Sequence, residues 1–230
     1  LFNREHHVRI ATVLQALNAA LFDKCRCYFG GGTAIVLSHN EYRESLDIDF
    51  LVSDQKGFRE LRHGLTGEKG ISSILRNGSI LKLAREVRAD QYGIRTMISV
   101  GEVEIKFEIV LEGRMSFETP GPTDRICGIP TLTSLDMATS KILANSDRWS
   151  DDTVYSRDLI DLAMLQLSRE KINRAKEKAT QAYGDSALRD LTKAIEKLKA
   201  RPGRLGECMK ALKMSTIPEA VLWSHIRTLR

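Results

Sequence analysis

Residues Tyr28–Phe50 read "YFGGGTAIVLSHNEYRESLDIDF" and combine two features that ordinary packing does not favour. Contiguous glycines, Gly30–Gly32, interrupt an apolar run, and two aspartates sit inside an apolar alternation. The preceding "CRCYF" has strand character, and "TAIVLSH" reads as a short helix whose N-terminus lies at the glycines. Gly31 and Gly32 in that place let the backbone approach an anion, and the helix start offers free N–H groups and a partial positive charge. Thr33 adds a hydroxyl. No Lys-Ser/Thr pair follows and the glycines are contiguous, so this is neither a P-loop nor a dinucleotide fingerprint.

Further on, "SLDIDFLVS" alternates as a strand, with Leu46, Ile48 and Phe50 toward the core and Asp47 and Asp49 together on the other face. Their Cα atoms then lie roughly 6–7 Å apart. Carboxylates so placed can converge on two cations about 3.5–4 Å apart, the separation used in two-metal phosphoryl chemistry. Magnesium suits oxygen ligands and keeps positions for substrate phosphates. A third acid belongs on a neighbouring strand, and "EVEIKFEIV" supplies candidates. Val103, Ile105, Phe107 and Ile109 face inward, while Glu102, Glu104, Lys106 and Glu108 line the opposite face. Alternation alone does not say which acid lies nearest Asp47 and Asp49.

Around this centre the chain falls into two textures. Residues 5–22 place Ile10, Val13, Leu14, Leu17 and Leu21 at helical spacing, which predicts one amphipathic helix. Residues 55–88 mix helix and loop. "YGIRTMISVGEVEIKFEIVLE" predicts two strands around a turn near Gly101. From Thr131 onward the periodicity is helical, with Gly184 and Pro202-Gly203 as stops and Asp185 as an N-cap. The layout is an α/β part to about residue 130 and an all-helical part over 131–230.

Composition excludes some classes. The 230 residues are 42% hydrophobic and 28% charged, as in an ordinary globular protein. No run approaches the ~18 apolar residues of a membrane helix, and no signal peptide is visible, although position 1 is Leu rather than Met. Cys25, Cys27, Cys127 and Cys208 form no C-x-x-C pair, which suits reduced thiols in a cytoplasm. His6-His7 is too short for a metal tract. The net charge of +5 is uneven: residues 166–230 carry 15 Lys/Arg against 7 Asp/Glu, and the preceding part carries 20 against 23. Lys171, Arg174 and Lys178, then Lys193, Lys197 and Arg201, recur at helical spacing and share faces expected to meet water. Lys193 and Lys197 are candidate contacts for an RNA backbone.

The ordered set Gly31-Gly32-Thr33, then Arg43-x-Ser45-x-Asp47-Ile48-Asp49-Phe50, resembles the DNA polymerase β-like nucleotidyltransferase fold. More narrowly it is similar to the AbiEii/AbiGii toxin family. "LDMATSKILANSDRW" and "SRDLIDLAML" resemble that family's helical block, with Lys141, Arg157-Asp158 and Asp161 on its motif positions. The resemblance spans residues 28 to 165. It implies an α+β fold, a mixed sheet with helices followed by an all-helical domain. It also implies metal held by Asp47, Asp49 and Glu108, two magnesium ions, and an NTP as substrate. Gly31, Gly32, Thr33 and Ser45, assisted by Arg43, would receive the nucleotide phosphates. Lys141 would reach the triphosphate from the helical domain, Asp158 would join it at the cleft, and Arg157 and Asp161 would be struts. The implied activity is transfer of an NMP to an acceptor hydroxyl at an RNA (tRNA) end, by a cytoplasmic toxin with a cognate antitoxin and no membrane partner. Rival readings are an inactive nucleotide- or RNA-binding regulator and a transferase acting on a protein or small molecule. Glu at position 108 departs from the Asp found in many members of the wider superfamily.

Overall fold

Where the apolar spacing of residues 5–22 predicts one helix, the computed structural model, which describes residues 2–230, has two. α1 spans Glu5–Ala16 and buries Ile10, Val13 and Leu14, and α2 spans Ala19–Lys24. The break falls at Leu17, which is extended and bridged antiparallel to Leu75. Asn18 then restarts the helix, its side chain accepting from the Leu21 amide at 3.2 Å.

β1 (Cys27–Gly30) is wholly buried and runs directly into α3 (Gly31–Ser38). β2 (Ile48–Val52) follows, then α4 (Gln55–Thr66), whose N-cap Asp54 accepts from the Gly57 amide at 2.6 Å. β3 (Lys82–Ala89), β4 (Gly93–Val100) and β5 (Val103–Leu111) complete the sheet. Its order is β1-β2-β5-β4-β3, with β2 and β5 parallel and the other neighbours antiparallel. The turn between β4 and β5 holds Gly101 at φ +62. A small hairpin, β6 (Arg125–Ile126) and β7 (Ile129–Pro130), comes next.

One face of the sheet carries the core. Ile48, Phe50, Ile94, Ile98, Ile105, Phe107 and Ile109 are buried, and the Phe50 ring lies 4.5 Å from Phe22, 5.5 Å from Phe29 and 5.6 Å from Phe107. Each such ring contributes about 1.5–3 kcal/mol on burial. A one-residue slip of β2 would replace Phe50 with Asp49 in that core, so the register is strongly fixed. Leu46, expected inside, is 50% exposed, because β2 starts only at Ile48. β3 is a strand that periodicity missed. It is rich in charge and its pairing with β4 shifts register twice, so it does not alternate.

The chain divides into two units. The first takes the residues up to Leu37 and Ser45–Thr133; the second takes Ser38–Glu44 and Ser134–Arg230. The second unit is helical: α5 (Ser134–Arg148), α6 (Arg157–Met164), α7 (Arg169–Tyr183), α8 (Ser186–Lys199), α9 (Arg204–Ala211) and α10 (Glu219–Arg227). α5 packs on α6, α7 and α8, and α6 also meets α10. Gly184 at φ +68 ends α7. Asp185 precedes α8 as expected but has helical backbone angles and makes no side-chain cap bond.

Candidate active site

The glycine turn and the second aspartate form one structural unit. Gly30 pairs with Asp49 across β1 and β2, and Gly31, at φ +67, follows immediately. A Cβ built on Gly31 would stand 2.6 Å from Asp49 Oδ2 and 3.0 Å from Asp49 Cβ. Glycine is therefore required twice, for the left-handed backbone and for the carboxylate packed against it. Gly30 serves packing instead, since a Cβ there would meet Leu51 at 2.5 Å and Leu132 at 2.8 Å. Gly32 lies in the first turn of α3, where orphan N–H groups are available.

Asp47 stands just before β2, partly exposed like Asp49. Its position is fixed through its backbone: the buried Thr33 hydroxyl donates to the Asp47 carbonyl and lies 2.8 Å from the Ser45 hydroxyl. The Ser45 amide donates to Nε2 of the buried His7 at 3.1 Å, and His6 Nε2 lies 2.9 Å from the Leu46 carbonyl. Thr33 and Ser45, expected at the nucleotide phosphates, thus also tie the aspartate-bearing segment to α3. The histidine pair of α1 serves as a bracket for the same segment, a role that sequence reasoning missed.

In the parallel pairing of β2 and β5, Asp49 faces Glu108 in register. Glu104 lies beyond the end of that pairing, opposite Ser99 of β4. The Glu108 carboxylate accepts from Arg95 Nε at 2.5 Å and Lys106 Nζ at 2.6 Å. Burial works against its ionisation, but Lys106 and then Arg95 outweigh burial and hold the carboxyl below the ordinary glutamate range. Lys106 is itself shifted upward: burial opposes its charge, and Glu108, then Asp49 and Asp47, more than compensate. One ammonium thus lies in the combined field of the three acids.

This arrangement bears on the expected metal ligands. Asp47 and Asp49 are hard, partly exposed oxygen donors beside a glycine-only turn, and fit a divalent cation. Glu108 is adjacent in register but already neutralised by Lys106 and Arg95. Among the described residues no three His, Cys, Asp or Glu side chains converge as a ready metal group. Of the three acids expected at the metal, Asp49 and Glu108 are paired in register, and Glu108 is engaged by an ammonium and a guanidinium.

Arg43, Lys141, Asp158 and Asp161 lie together in the second unit. Arg43 clamps Asp161 with two bonds, Nε to Oδ1 at 2.7 Å and Nη2 to Oδ2 at 2.8 Å. The Tyr42 hydroxyl donates to the same carboxylate at 2.7 Å. Lys141 Nζ bridges Asp158 at 2.9 Å and Asp161 at 2.7 Å, and Arg148 grips Asp158 through Nε at 2.6 Å and Nη2 at 2.9 Å. Arg43, Lys141, Asp158 and Asp161 are all buried. Burial works against both aspartates, but Lys141 and Arg148 hold Asp158 well below the usual aspartate range, and Arg43 and Lys141 hold Asp161 below it. Arg43, expected to assist at the nucleotide phosphates, is engaged here by Asp161. Tyr42 and Arg148 belong to the cluster and were not foreseen. With cations Arg43, Lys141 and Arg148 against carboxylates Asp158 and Asp161, the cluster carries one formal positive charge in excess.

The basic helical face is less available than its spacing suggests. Lys197 pairs with Asp152 at 2.7 Å and donates to the Ser150 carbonyl at 2.7 Å. Arg201 pairs with the same aspartate, holding its carboxyl down to about 2 together with Lys197. Lys193 pairs with Asp190 at 3.1 Å, and both lysines lie over the Trp149 ring, at 5.4 and 6.0 Å.

No curated protein matches the chain. Among solved structures, a crystal structure described as a "putative nucleotidyltransferase from H. pylori" is 15% identical with a TM-score of 0.45, covering 98% of this chain and 96% of that one. JHP933 from Helicobacter pylori is 15% identical with a TM-score of 0.48, covering 100% and 90%. The family described as "Nucleotidyl transferase AbiEii toxin, Type IV TA system" matches residues 12–221. That match runs from within α1 into α10 and takes in the glycine turn, both aspartates and the Lys141 cluster, so the chain belongs to the AbiEii nucleotidyltransferase toxins of type IV toxin–antitoxin systems.

Proposed function

We propose that this nucleotidyltransferase moves an NMP from an NTP to a hydroxyl at an RNA end, a tRNA in the first instance, with magnesium. The observation that carries this reading is the Asp49 carboxylate seated against Gly31 at the N-terminus of α3. A phosphate-binding turn and a metal-binding acid so close together suit chemistry at a nucleotide phosphate. The free N–H groups at Gly31, Gly32 and Thr33 would hold phosphate oxygens. Thr33 and Ser45 keep Asp47 beside that turn. Magnesium held by Asp47 and Asp49, with Glu108 next in register, would polarise the α-phosphate and offset charge on the leaving group. The acceptor oxygen forms its bond to the α-phosphorus in line with the departing pyrophosphate.

This activity needs NTPs and RNA, so we assign it to the cytoplasm, under control of a cognate antitoxin. Incubation with each of four α-labelled NTPs, magnesium and total RNA tests the reading. Label on RNA supports it. Label on a protein or small molecule moves the acceptor to another class, and no label under any NTP favours an inactive nucleotide-binding relative.

A further inference from the structure

The edge strand β3 carries three basic side chains at a spacing that ordinary strand geometry does not align. Lys82, Arg85 and Arg88 are three residues apart, so strict alternation would put Arg85 on the opposite face from the other two. The observed pairing differs: Lys82 faces Ser99, Arg85 faces Met97 and Arg88 faces Arg95. Their partners are two apart on β4 and share one face, so the two register shifts bring all three cations to that face.

That face is the one bearing the candidate metal ligands. Arg95 is opposite Glu108, and Glu108 is opposite Asp49, giving a transverse row Arg88–Arg95–Glu108–Asp49 across four strands. At about 4.8 Å per strand, Arg88 stands ~14 Å from Asp49. Lys82, Arg85 and Arg88 are exposed and make no ion pair among the described residues. Glu104 and Glu108 of this face lie on β5, the latter engaged by Arg95 and Lys106, and Asp49 lies on β2. Nearer β3, Asp90 is taken up by Arg95 at 3.1 Å, and Glu86 is exposed between Arg85 and Arg88, so the three cations of the strand outnumber its one acid. The hairpin joining β3 to β4 carries Tyr92, 65% exposed, just beyond the row.

We propose that Lys82, Arg85 and Arg88 bind the phosphodiester backbone of the polynucleotide acceptor and lead its end along the sheet toward Asp49, with Tyr92 as a stacking surface for a base. This rests on the reading of the acceptor as RNA. Protection of a sheet edge explains charge and bulges on an edge strand. It does not require that all three cations share the face of the acids. Unpaired cations on a strand whose hairpin carries an exposed aromatic ring favour a polynucleotide over an acidic protein, because both phosphates and bases then find partners.

The test compares the full chain with a variant carrying Lys82→Gln, Arg85→Gln and Arg88→Gln, using total tRNA as the probe. Binding is titrated at several salt concentrations beside the thermal shift with NTP and magnesium. The expected result is at least about tenfold weaker RNA binding near 0.1 M salt and a salt slope reduced by about 2, at about 0.7 per phosphate contact. The NTP-dependent thermal shift stays as in the parent, which shows that the variant is folded. Tyr92→Leu should weaken RNA binding with an unchanged slope, because stacking releases no counterions. Equal RNA affinity and slope in parent and triple variant would overturn this inference while leaving RNA as acceptor. Loss of RNA binding in Lys193→Gln/Lys197→Gln, but not in the β3 variant, would move the track to the helical unit and overturn it too. A parent that binds no RNA at any salt would remove the acceptor reading and this inference together.

Discussion

Gly31→Ala probes the contact on which the functional reading rests, and Gly101→Ala is its matched control. Both glycines have left-handed backbones, φ +67 and φ +62. An L side chain in that region costs roughly 1–2 kcal/mol, so both variants should lose about that much stability to the backbone alone. The surroundings differ. A Cβ on Gly101 meets nothing within 4 Å, whereas one on Gly31 meets Asp49 Oδ2 at 2.6 Å. Ordinary contact starts near 3.4 Å, so the Asp49 carboxylate must shift by roughly 0.8 Å. Displacements near 1 Å at a reacting centre lower rates on the order of 10²-fold. Gly31→Ala should therefore cut kcat for nucleotide transfer about 10²-fold, and Gly101→Ala should leave it at the parental value. Denaturant unfolding and steady-state transfer on both variants make the comparison. Equal activity in the two would refute the claim that Asp49 is held where the chemistry occurs.

Asp161→Asn removes a carboxylate from two buried cations and should destabilise the protein by about 3–5 kcal/mol in denaturant unfolding. The folded pKa values of Asp158 and Asp161 lie below the ordinary value of 3.8, so their contribution is complete above that value. It is lost as pH falls through the lowered folded values, so melting temperature should drop with acidification below about pH 4 and do so less steeply in Asp161→Asn. Lys106→Gln leaves Glu108 to Arg95 alone and removes a charge felt by Asp47 and Asp49. Magnesium should then raise the melting temperature at lower concentration, by roughly fivefold for about 1 kcal/mol after solvent screening. An unchanged magnesium midpoint would show that Lys106 does not compete with the cation.

The glycine turn and Asp49 were legible because both depend on short-range rules: where glycine is needed, and which residues share a strand face. The faces of β5 were legible for the same reason, but the choice of Glu108 needed the register with β2, which alternation does not encode. β3 was not legible, because two register shifts remove the period that identifies a strand. The clamp of Tyr42 and Arg43 on Asp161 joins residues 119 and 118 positions apart, a distance at which residue spacing says nothing. The helical lysines show what spacing omits. Periodicity placed Lys193 and Lys197 on one face correctly enough, yet Asp152, Asp190 and Trp149 lie within their reach.

The most direct test of the central claim follows pyrophosphate and labelled RNA together, in the parent and in Asp49→Asn. The account predicts equimolar pyrophosphate and RNA-bound NMP in the parent with magnesium. In Asp49→Asn it predicts neither product above background, while the unfolding midpoint stays near the parental value. Parental rates in Asp49→Asn would contradict it, since the acid seated on Gly31 would then have no part in the reaction.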